Sequence, residues 1–67
     1  MTKLGQKIIK FTKKYTKKND ISPTRKEIMD ALNIKSSDAI EYAIRRLEED
    51  GKIQRSPGRA RNLFVIS

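Results

Sequence analysis

Four residues, Asn33-Ile34-Lys35-Ser36, separate two helical patterns, and that short gap constrains the chain more than any other feature. Before it, Thr24-Arg25-Lys26-Glu27 is a capping box: the threonine hydroxyl accepts from the Glu27 N–H, and the Glu27 carboxylate reaches back to the Thr24 N–H. Ile28, Ala31 and Leu32 follow as a core face, and Asn33, a residue that tolerates the left-handed conformation, stops the helix. After the gap, Ser36 or Ser37 caps a second pattern, with Asp38 at the positive end of the dipole. Ile40, Ala43, Ile44 and Leu47 share its inner face at i, i+3, i+4, i+7. Asp38, Tyr42, Arg45, Arg46 and Glu49 share the outer one, and Gly51 closes the helix. Two helices joined this tightly must cross sharply.

Upstream, Leu4, Ile8, Phe11 and Tyr15 make an apolar stripe over about Leu4 to Lys18, widened by Ile9. Lys3, Lys7, Lys10, Lys14 and Lys17 form a basic stripe beside it, at a repulsive cost of a few tenths of a kcal/mol per pair. Ile21 stands alone among polar neighbours, as a one-residue strand or core plug. Ser22-Pro23 keeps the chain extended, because a residue before proline avoids the α region. Downstream, Lys52 to Arg55, with Ile53 inward, and Leu63 to Ile66 read as two strands. The turn-rich loop between them carries Arg59 and Arg61. The predicted fold is α+β and mainly helical: a three-helix winged helix-turn-helix with a C-terminal β-hairpin wing, one domain over 1–67.

With 67 residues there is room for one small core. The chain has neither cysteine nor histidine, which excludes disulfides, thiolate metal sites and the histidine-dependent hydrolases. So small a body leaves little room for a deep pocket, and no enzyme, metal or cofactor is expected. No apolar run approaches the ~18 residues of a membrane span, and no signal peptide is evident. The expected location is the cytoplasm, on the nucleoid.

Net charge is +8, distributed as +7 over residues 1–19, −3 over 20–51 and +4 over 52–67. Two basic ends around an acidic centre suit a polyanion touched by both ends. The bland alternative is a lysine-rich solvated surface. For Arg45 and Arg46 the competing reading is pairing along their own helix, Glu41 with Arg45, Arg45 with Glu49 and Arg46 with Asp50. A lysine-rich amphipathic helix can also lie on an anionic membrane, but here the narrow apolar stripe is needed for the core.

Helix, extended piece, helix, helix and basic hairpin together point to double-stranded DNA. A helix of about 37–50 fits the major groove, and a wing of 55–62 can lie on the backbone or in the minor groove. The residues also resemble the N-terminal DNA-binding domain of the LexA repressor family. The matching pieces are Ser22-Pro23-Thr24-Arg25-Lys26-Glu27-Ile28, Ser36, Ala39, Leu47-Glu48-Glu49-Asp50-Gly51-Lys52-Ile53, Gly58 and Arg61, and nearly the whole chain lies on that domain without gaps. The Pro-Thr-Arg-x-Glu-Ile run is fairly specific, whereas Leu-Glu-Glu-x-Gly-x-Ile is shared by many winged helices.

The resemblance implies base reading by Ser36, Asp38, Ala39, Glu41 and Tyr42, and phosphate contacts by residues such as Thr24, Arg25 and Arg61. Lys35, Ser37, Arg45 and Arg59 complete the expected backbone and wing set. Asp38 departs from the family pattern, where an amide is usual; a carboxylate accepts from cytosine N4 but cannot donate to adenine. Tyr42 departs as well. The chain stops before the self-cleaving, dimerising domain that the resemblance implies, and its ends suit a small natural regulator of phage, plasmid or prophage type. The expectation is a sequence-specific regulator, with repression carried by the resemblance, and a weak or DNA-dependent homodimer. The other readings are a protein-interaction winged helix docking on a polymerase or another repressor, and a non-specific architectural DNA-binding protein.

Overall fold

The computed structural model describes residues 3–56, 58 and 62–66. Helix α1 runs Lys3–Asn19, α2 Arg25–Leu32 and α3 Ser37–Glu49, followed by strands β1, Ile53–Arg55, and β2, Leu63–Val65. Helix α1 packs on α2, α3 and β2, and α3 packs on α2 and β1. The mainly helical α+β architecture with a closing hairpin therefore matches the sequence expectation.

Local chemistry sets each boundary. The α2 capping box is complete: Glu27 N donates to Thr24 Oγ1 at 3.1 Å, and Thr24 N donates to Glu27 Oε1 at 2.8 Å. The other Glu27 oxygen accepts from the Tyr15 hydroxyl at 2.9 Å, so one carboxylate caps α2 and clamps it to α1. Asn33 ends α2 at φ 57°, and the Ile34 N–H turns back to the Met29 carbonyl at 2.8 Å. Ser36 caps α3 by accepting from the Ala39 N–H at 3.3 Å. At the other end Gly51, at φ 74°, lets its own N–H reach the Glu48 carbonyl and the Lys52 N–H reach that of Leu47. That pair of bonds is the Schellman stop, and a left-handed residue makes it possible.

The core is Ile8, Ile9, Ile28, Ile40, Ala43, Ile44, Leu47, Ile53 and Leu63, with Leu4, Phe11, Met29, Leu32, Ile34 and Val65 packed around it. All four inward residues expected of α3 are buried. In the hairpin, Ile53 faces Val65, Gln54 faces Phe64 and Arg55 faces Leu63. Antiparallel partners share a face and alternate along the strand, so Ile53, Arg55, Leu63 and Val65 turn toward the helices, and Gln54 and Phe64 turn outward. Among the described residues no helix is long and apolar enough to cross a membrane.

Three expectations are corrected. Ile21 is not a core plug: it lies in a bend, 46% exposed, while the adjacent Ser22 and Pro23 are buried instead. Ala31 is exposed, because the short α2 turns Ile28, Met29 and Leu32 toward the core. The three ion pairs along α3 do not form among the described residues. Its acids are engaged by arginines from other elements, Glu41 by Arg25 and Arg55, and Glu48 by Arg55. Gly5 and Thr12 are buried on α1, which the apolar stripe alone did not indicate.

Candidate nucleic-acid interface

Helix α3 is held from below by four apolar side chains, which leaves its opposite half open. Asp38, Tyr42, Arg45 and Glu49 are spaced 4, 3 and 4 and form the crest of that half, all exposed. Tyr42 is 63% exposed, more than any other large apolar or aromatic side chain reported for the surface. On one flank, Ala39, Tyr42, Ala43, Arg46, Leu47 and Asp50 join Leu4 and Gly5 of α1 in a shallow groove of about 600 Å³. On the other flank, Glu41 and Glu48, two turns apart, face the hairpin.

The N-terminal end of α3 is built for an approaching ligand. Lys35, Ser36, Ser37, Asp38 and Ala39 are consecutive and exposed, so no packed side chain shields the first turn. The Ser36 hydroxyl oxygen is occupied as a cap acceptor, yet its proton remains available to donate. Asp38 presents an acceptor-only carboxylate one turn above it.

The hairpin-side flank holds a charge ladder. Arg25 Nε, at the first position of α2, is ion-paired with Glu41 Oε1. Glu41 Oε2 lies 3.9 Å from Arg55 Nη1, and Arg55 Nη2 lies 3.5 Å from Glu48 Oε1. One consequence is local neutrality along that flank. Another is that Arg45 and Arg46 form no ion pair among the described residues, so their charges remain uncommitted.

Of the expected base-reading residues, Ser36, Asp38, Ala39 and Tyr42 lie together on open surface. Glu41 lies beside them, with its carboxylate engaged. Among the expected backbone residues, Lys35, Ser37 and Arg45 are exposed on the same side of α3 or at its start. Thr24 and Arg25 are half-buried at the start of α2. Arg59 and Arg61 lie outside the described residues. Sequence reasoning missed Arg55 as a member of this site. Its signal was available: Arg55 is two residues past the inward Ile53, so strand alternation aims it at α3, where Glu41 and Glu48 share a face seven residues apart.

Comparison with known proteins gives a consistent result. Residues 1–62 match the family described as "LexA DNA binding domain". Over 66 residues the chain is 38% identical to the LexA repressor of Pelagibacter ubique, covering 98% of this chain and 29% of that protein. It is 35% identical to the LexA repressor of Erythrobacter litoralis, over 98% of this chain and 28% of the relative. For the LexA repressor of Caldicellulosiruptor saccharolyticus the values are 32% identity, 98% and 33%. The chain thus spans about a third of the length of the relatives it matches. A match over 1–62 and several relatives above 30% identity lead to one conclusion: this chain belongs to the LexA DNA-binding domain family.

Proposed function

We propose that this protein binds double-stranded DNA with sequence preference and acts as a transcriptional repressor by occluding a promoter. The observation that carries the reading is the open crest of α3. Asp38, Tyr42 and Arg45 stand clear of a core that the opposite face of the same helix completes. In this reading the first two turns of α3 enter the major groove. There Asp38 accepts from a cytosine N4 amine, and Ser36, Ala39 and Tyr42 contact neighbouring base edges. Lys35, Ser37, Arg45 and the start of α2 at Thr24 and Arg25 sit against phosphates, and Arg59 and Arg61 of the wing reach the backbone or adjacent minor groove. Repression follows from the LexA repressors that the chain resembles and from the simplest consequence of sitting on a promoter.

A lone module of this kind buries about 600–1,000 Å² on DNA, so its affinity is modest and pairing on adjacent half-sites strengthens it. A mobility-shift titration against a selected duplex and a scrambled one, at two salt concentrations, tests the reading. The expected result is tighter binding to the selected duplex at both, with affinity for each falling as salt rises. Equal affinity for the two duplexes would reduce the protein to a charge-driven DNA coat.

The groove beside Tyr42, floored by Leu4 and Ala43, is the observation that favours a protein ligand instead. An Arg45→Glu variant that keeps full DNA affinity would support that second reading.

A further inference from the structure

We infer that Glu41 reads no base: it is a positioning residue that ties the start of α2, the middle of α3 and the base of the hairpin into one unit. This inference rests on the DNA-binding reading and refines it.

Both carboxylate oxygens of Glu41 are committed in different directions. Oε1 is ion-paired with Arg25 Nε from α2, and Oε2 lies 3.9 Å from Arg55 Nη1 at the end of β1. A cytosine amine would need one of those oxygens, and taking it would leave an arginine without its partner. Asp38, one helical turn earlier, has no such engagement among the described residues and is exposed, so it is the carboxylate free to accept. The side chains of the ladder are between 27% and 43% exposed, and ion pairs this wet contribute little to stability. What the ladder fixes is geometry. Arg55 is the last residue of β1, so its bonds to Glu41 and Glu48 set the angle at which the hairpin leaves α3. Arg25 is the first residue of α2, so its bond sets how the start of α2 meets the same helix. The pairing also has an electrostatic effect: by engaging the acids of α3, Arg25 and Arg55 leave Arg45 and Arg46 to phosphates.

Wild type, Glu41→Gln, Arg55→Gln and the double variant are compared on a selected duplex and on versions with each base pair exchanged in turn. Backbone protection is read by hydroxyl-radical footprinting. The expected result is that Glu41→Gln keeps the wild-type preference at every base pair. Both single variants should lose protection at the edge of the site, where the hairpin lies. The double variant should lose no more than either single one, since all three break the same tie. A drop of roughly five-fold or more in discrimination at one base pair, in Glu41→Gln and not in Arg55→Gln, would make Glu41 a base reader and overturn the inference. Edge protection unchanged in Arg55→Gln would also overturn it, and this arm does not depend on how Glu41→Gln folds. If the wild type itself protects no duplex, the DNA-binding reading falls first, a result distinct from either of these.

Discussion

At the scale of single residues, a few side chains carry tasks that their type alone would not suggest. Glu27 completes the α2 capping box with one oxygen and accepts from Tyr15 with the other, so its loss opens both a helix end and the α1–α2 contact. Thr24→Ala removes the acceptor for the Glu27 N–H and should cost about 1 kcal/mol in chemical denaturation. Thr12 presents the opposite case. Its hydroxyl is fully buried and has no hydrogen-bond partner among the described residues. Thr12→Val replaces that group by an isosteric methyl and should raise stability by about 1 kcal/mol, read as a higher melting temperature. Gly51 has open space where a Cβ would stand, so Gly51→Ala meets no clash; its cost of about 1 kcal/mol comes from the left-handed φ of 74° alone.

At the scale of elements, α3 serves two masters with opposite faces. Ile40, Ala43, Ile44 and Leu47 anchor it, and Asp38, Tyr42 and Arg45 are offered outward. Exchanging Asp38 for asparagine keeps the shape and adds a donor. The expected outcome in a selection from random duplexes is a change from cytosine to adenine at one position, with the others retained. This much of α3 was legible in the sequence, because helical periodicity separates a buried stripe from an exposed one whatever the rest of the fold does. The caps at Thr24, Ser36 and Gly51 were legible for the same reason, being contacts within a few residues. The ion pairs were not. Spacing along α3 offered Glu41 to Arg45 and Arg46 to Asp50, but it cannot show that arginines from α2 and β1 arrive closer. Ile21 illustrates the same limit: a lone apolar residue is consistent with a core plug until packing shows Ser22 and Pro23 in that place. Site residues followed the same division. Those on α3 were placed by periodicity, whereas Arg55 belonged to the site only through the pairing of two strands with a helix.

At the scale of the whole molecule, a small core supports an unusually charged surface. A domain of this size has about 3–5 kcal/mol to spare, and truncating a fully buried side chain such as Ile44 to alanine removes about 2–5 kcal/mol. Ile44→Ala is therefore expected to be largely unfolded at 37 °C by circular dichroism, and to lose DNA binding with its fold. The net charge of +8, with its lysines on α1 and arginines near α3, gives DNA affinity a steep salt dependence. Arg45→Gln and Arg46→Gln should each flatten the log–log slope by about one, with no change in which sequence is preferred. The central claim is that the outward face of α3 chooses a sequence rather than merely meeting phosphate. Selection of the wild-type protein against random duplex DNA measures it most directly. The account predicts a recurrent motif in which one cytosine depends on Asp38. A selected pool with no shared motif, or one whose motif is unmoved by changes at Asp38 and Tyr42 together, would contradict it.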